Sequence, residues 1–198
     1  MHRLLLVLLS IAGLGGALTA LANTPEGETP SAAPPEVAEA RAIVGDFFKE
    51  LKGTLMSAIN EGGAENGVHV CADVAPQIAA EASAGNDWSV GRTALRVRNP
   101  DNRPDTWERS VMETFLARSE GGQPVKGMEH YEVVETDGSK TFRYMKAIPT
   151  GAPCLACHGE TIPPQVADTI DQYYPEDEAR GFELGELRGA FTLSKPVE

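Results

Sequence analysis

Apolar residues recur at Val37, Ala40, Ile43, Val44, Phe47, Phe48, Leu51, Leu55, Met56 and Ile59. This three-and-four spacing predicts one long amphipathic helix over about 36–59, which Gly62-Gly63 ends. A second stripe, Val68, Cys71, Ala75, Ile78 and Ala82, predicts a helix over about 68–82. Pro76 should kink it, because its ring removes a backbone donor. Beyond this point the period shortens. Residues 90–97 read as a strand carrying Arg92 and Arg96 among apolar residues, with Arg98 just past its end, and 99–104, with Pro100 and Pro104, read as a turn. Asp105-Thr106-Trp107-Glu108 has the form of a capping box, opening a helix to about Ala117 that Gly121-Gly122 stops. Segments 129–135 and 141–148 meet at Asp137-Gly138, a hairpin signal. After them, 162–174 is short helix or irregular chain and 187–193 a last strand. Helices first, then a helix among four antiparallel strands, predict an α+β domain.

The ends of the chain read differently. A short positive start, an apolar run through Leu4–Leu9 and Ala20-Leu21-Ala22 before Asn23 predict a signal peptide over 1–22. The alternative is a retained membrane anchor, since the run of roughly 18 residues is just long enough to span a bilayer. Residues 23–35 hold Thr, Pro, Glu, Gly, Ser and Ala with no large apolar side chain, and read as a flexible linker. The folded domain is then 36–198, expected in the periplasm with no membrane span after cleavage. The formal charge of −12, from 29 acidic and 17 basic residues, argues against nucleic acid and anionic membranes as partners and leaves a basic protein.

Three cysteines in an exported chain cannot all pair with one another. Two of them lie in Cys154-Leu155-Ala156-Cys157-His158, the C-x-x-C-H form of covalent haem attachment. Two thiols three positions apart can each add to a vinyl group on one porphyrin edge, and the next residue, His158, is then placed to reach the iron. A thioredoxin-like pair would need a βαβ setting, whereas this motif follows a hairpin and runs into Gly159, Pro163 and Pro164. A zinc site would need further ligands, and Cys71 is the one remaining cysteine. A bare disulfide would explain neither His158 nor Cys71.

The second axial ligand decides what such a haem can do. Candidates are Cys71, His69, His130, Met56, Met112, Met128 and Met145. Cys71 falls on the apolar stripe of its helix and should point inward. His69 lies about 200° around that helix beside Asp73, on the solvent side. Cys71 as a ligand and as a small core residue stand level on position alone.

Four motifs in order resemble a family of exported mono-haem c-type proteins of PAS-like fold, long filed as a domain of unknown function. They are Cys71-Ala72-Asp73-Val74-Ala75-Pro76, then Arg98-Asn99-Pro100 with Asn102, Pro104 and Trp107-Glu108, then Cys154 to Gly159, then Leu187-Arg188-Gly189-Ala190. The likeness covers roughly 37–197. It implies a sheet of about five antiparallel strands with N-terminal helices packed on it, and one covalent haem c held by Cys154 and Cys157 with His158 and Cys71 on the iron. It also implies a sensor role, which a free-standing chain would pass to a separate redox or signalling protein.

An anionic thiolate should stabilise ferric iron, and its bond should weaken on reduction, opening a place for a diatomic gas. The expected function is therefore a redox or gas sensor or a low-potential redox protein, not an enzyme. Simple electron transfer is the alternative. A peroxidase or nitrite-type reductase would need a distal group from His69, His130 or Arg98. Arg98 reads otherwise as a strand-end charge or a haem-propionate partner. Tyr173, Tyr174, Trp107, Phe142 and Tyr144 could wall a haem, with core packing as their alternative use.

Overall fold

A computed structural model of the chain describes residues 33–198. The expected signal peptide and residues 23–32 of the expected linker lie outside the described residues. Helix α1, Pro35–His69, places proline in its first turn, where a missing N–H has no partner to lose. Val37, Ala40, Val44, Phe47 and Leu51 are its buried face. Gly62-Gly63 breaks this helix but does not end it. Gly63 takes φ 79, which glycine adopts without strain, and the chain returns to helix at once.

The expected helix over 68–82 is divided among three elements. A π-helical turn at Val70–Val74 follows α1, with the Ala75 N–H reaching back to the Val70 carbonyl, and α2 spans Ala75–Ala84. Pro76 lies in the first turn of α2 and so breaks no helical hydrogen bond. The irregularity sits before the proline, in the turn that carries Cys71.

Strands β1 (Ser89–Thr93), β2 (Glu129–Thr136), β3 (Ser139–Pro149) and β4 (Leu187–Val197) form one antiparallel sheet in the order β1-β4-β3-β2. The implied fifth strand is absent among the described residues. β1 stops at Thr93 because the Ala94 N–H and the Thr93 hydroxyl both turn to the Asn102 carbonyl, at 3.3 and 3.2 Å. Pro100 and Pro104 cannot donate to a ladder, and the Asn99 side chain caps a short turn at Pro100–Asn102. The β2–β3 hairpin closes at Asp137 (φ 51) and Gly138 (φ 77), the paired positive angles of its two-residue turn.

Helix α3, Thr106–Glu120, opens with the expected capping box: Asp105 accepts from the Glu108 N–H and Glu108 from the Asp105 N–H. The sheet is covered on both faces. Phe142, Tyr144, Phe191 and Leu193 face α1 and α2, while Met145, Ala147 and Ala190 face Met112 and Phe115 of α3. The alternation along β3 and β4 decides these faces. Removing a buried ring such as Phe47 would cost about 3–5 kcal/mol. Helix α5, Pro164–Tyr173, packs Val166 and Ile170 with Tyr174 against Val68 at the far end of α1.

Candidate functional site

The C-x-x-C-H segment leaves the end of β3. A turn at Ala152–Cys154 leads into α4, Leu155–His158, one short helical turn. Gly159 follows because a Cβ there would lie 2.6 Å from the Leu155 carbonyl oxygen, too close for any side chain. The strand before the motif is antiparallel, so the βαβ setting of a thioredoxin-like pair is not present. Burial pushes the Cys157 thiol pKa up, the opposite of an activated redox cysteine. No disulfide joins the three cysteines. Among the described residues no three His, Cys, Asp or Glu side chains converge as a bare zinc ion would require.

His158 is held with unusual thoroughness. Its Nδ1–H donates to the Ala179 carbonyl at 2.7 Å, and because a carbonyl only accepts, the proton sits on Nδ1 and the lone pair on Nε2. Burial, reinforced by Arg188 and Arg98, holds the imidazole pKa well below its usual value and keeps the ring neutral. A neutral imidazole with its far nitrogen committed to a carbonyl is the form that ligates a metal. The loop following α5 supplies the frame: Gly181 N–H donates to Gly159 O and Phe182 N–H to His158 O, both at 2.9 Å. Arg98 ties the frame to the motif, donating to Cys157 O at 2.7 Å, to Ala179 O at 3.2 Å and bidentately to Asp177. Burial opposes ionisation of Asp177, but Arg98, Arg180 and the Ala179 N–H together hold its pKa below the usual value.

Cys154, Cys157 and His158 open onto a cavity of about 290 Å³ whose opposite contributions come from α1, the π turn and the sheet. Cys71 lines the same cavity, with Leu51, Leu55, Ile59 and Val68 as apolar wall. The π turn puts it there: an extra residue in a helical turn changes which way the following side chains face. Two vinyl-reactive thiols, a neutral imidazole with an unprotonated Nε2, a third thiol and an apolar wall fit a covalently attached haem.

The other candidates separate cleanly. Met56 lines the cavity, whereas Met112, Met128 and Met145 are buried in the α3 core on the other sheet face. His69 is exposed and accepts or donates with the Tyr173 hydroxyl at 2.7 Å. His130 lies on β2 against Trp107 and Glu132, away from the cavity. The distal groups proposed for an enzyme therefore shrink: both histidines are elsewhere, and Arg98, although it lines the cavity, is occupied by Asp177 and two carbonyls. Arg98 is thus a brace of the loop and neither a strand-end charge nor a free propionate partner. Phe142 and Tyr144 are core residues and Tyr173 is largely exposed, but Tyr174 does wall the cavity.

Three residues of the site escaped the sequence. Arg92 and Arg188 project into the cavity, and Asp177 anchors the frame. Arg188 stood in a motif carrying the resemblance, so a signal existed. Asp177 sits in an acidic stretch, where spacing distinguishes no single carboxylate.

The sequence profile of the Tll0287-like family matches residues 22–196. The fold is similar to a solved structure described as the crystal structure of the cyanobacterial heme-protein Tll0287, with TM-score 0.61 and 26% identity. That match covers 84% of this chain and 98% of the cyanobacterial one. No curated protein matches the chain.

Proposed function

Since the chain belongs to the Tll0287-like family, we propose that it is an exported mono-haem c-type protein, acting as a redox or gas sensor or a low-potential redox protein. Cys154 and Cys157 would hold the haem covalently, each thiol adding across one vinyl group with sulfur on one carbon and the thiol hydrogen on the other, and His158 and Cys71 would hold its iron. One observation carries this reading: the three residues of the motif and the distant Cys71 line a single apolar cavity, with the His158 Nε2 lone pair unprotonated.

Bound haem would supply a one-electron iron couple and, with one ligand released, a place for a diatomic gas. The protein's part is to set that couple. The Ala179 carbonyl orients the His158 ring and Arg98 braces that carbonyl, so the imidazole would be held in place in either oxidation state of the iron. Cys71 would hold the iron through an anionic sulfur, a donor that favours the ferric state. The apolar wall keeps water from the sulfur side. An acidic surface suits a basic redox or signalling partner in the periplasm.

Optical spectra of the purified protein, ferric and ferrous, with and without CO, test this. Thiolate bands in the ferric form and a CO-responsive ferrous form are expected. A His/Met-type spectrum indifferent to CO would remove the sensing role and leave simple electron transfer. Pigment lost into acidified acetone would remove covalent attachment.

A further inference from the structure

Neither Arg92 nor Arg188 is ion-paired among the described residues. Arg98, Arg143 and Arg180 each meet a carboxylate: Asp177, Asp105 with Glu108, and Asp171 with Asp177. Arg92 on β1 and Arg188 on β4 meet none within ion-pairing distance among the described residues, in a chain with 29 acidic residues. Both are half-buried and both line the cavity. Arg188 has two contacts, His158 Nε2 at 3.4 Å and the face of Phe182 at 5.2 Å. The first must be given up if Nε2 is to bind iron. Half-buried with no carboxylate in reach among the described residues, each is a cation held against its solvation preference.

Two arginines without carboxylate partners, in a cavity whose wall is mostly apolar and whose third arginine, Arg98, is already paired with Asp177, call for an occupant that is mostly apolar and carries two anionic groups. Arg92 pairs opposite Phe191, three positions along β4 from Arg188, and Arg188 sits at the irregularity where Ile148–Gly189 pairing gives way to Pro149–Leu187; both residues line the cavity. We infer that Arg92 and Arg188 form a paired carboxylate receptor that takes the two propionates of the haem. This rests on the haem reading above and adds what orients the ring within the cavity. Each guanidinium presents a planar fork of donors matched to one carboxylate. The two thiols fix one edge of the porphyrin, and the arginines fix another.

The test separates the receptor from the cofactor. The full chain carrying Cys154→Ser and Cys157→Ser, which cannot attach haem covalently, is titrated with haemin and with haemin dimethyl ester, whose carboxyls are blocked. A charge-assisted bond per carboxylate predicts at least about tenfold tighter binding of the free acid. That preference should shrink in R92Q and in R188Q and vanish in the double variant. Equal affinity for acid and ester in the parent chain would overturn the receptor while leaving haem binding intact. Failure of both to bind, together with colourless wild-type protein, would overturn both readings. Should the serine variants not fold, the covalent holoprotein answers instead: propionate bending bands in resonance Raman spectra should move in R92Q and R188Q, and unmoved bands would overturn the receptor.

Discussion

The loop that carries His158 and the turn that carries Cys71 face one cavity but are held in opposite ways. Around His158, an arginine–aspartate pair, two carbonyls and two interloop N–H bonds converge on a five-residue motif. Around Cys71 the chain relaxes: a π turn with no side-chain cap, a sulfur with no hydrogen bond among the described residues, and a glycine break eight residues upstream. Under the proposed function, this asymmetry would suit a histidine that stays on the iron and a thiolate that can leave it. Tertiary hydrogen bonds concentrate in the loop that looks irregular and are few at the helical turn that carries Cys71.

The largest effect should come from cutting the rigid half. Arg98→Ala leaves Asp177 buried beside a single partially exposed arginine and strips donors from the Cys157 and Ala179 carbonyls. A loss of about 3–5 kcal/mol in denaturant unfolding is expected, the cost of breaking a buried pair from one side. Arg98→Lys should recover part of it. A loss below about 1 kcal/mol would mean that the loop is held by its backbone alone.

Acid attacks the same brace more gently. Asp177 has a folded pKa below its unfolded value, so its stabilisation is complete above about pH 4 and disappears as the pH falls through the lower, folded value. Unfolding free energy measured from pH 6 downward should therefore steepen below about pH 4. Asp177→Asn should flatten that segment and start from lower stability at pH 6. An unchanged slope in the variant would assign the acid limb to other carboxylates.

Met145→Leu probes the sealed face of the sheet. Met145 is fully buried with Met112 and Phe115. A volume-conserving exchange should cost less than about 1.5 kcal/mol and leave the ferric and ferrous spectra untouched. A spectral change would put a methionine back among the ligands.

What the sequence disclosed follows the same division. Elements governed by local signals were legible: the capping box at Asp105, the Asp137-Gly138 hairpin, the amphipathic face of α1 and the C-x-x-C-H motif. Elements governed by competition were not. Glycines at 62 and 63 end a helix by propensity, yet packing of Val68 on α5 recovers it. Pro76 advertises a kink, while the distortion is a π turn that hydrogen-bond register alone defines. Cys71 was singled out by its stripe and by the resemblance, but the arginines opposite it became distinguishable from surface charges only once strand pairing placed them on the cavity.

The smallest effect on stability, and the sharpest test of the asymmetry, belongs to Cys71→Ala. The side chain is half-buried and anchors nothing by hydrogen bonding, so unfolding should change by no more than about 1 kcal/mol. The haem should stay attached through Cys154 and Cys157. The iron, however, loses an anionic donor, so thiolate bands should vanish from the ferric spectrum and the midpoint potential should rise. Met56 is the other candidate ligand on the cavity wall, and Cys71→Ala combined with Met56→Ala tells whether it takes the vacated position. If the single variant retains the wild-type ferric spectrum and potential, Cys71 is a packing residue and the flexible half of the comparison has no role at the iron.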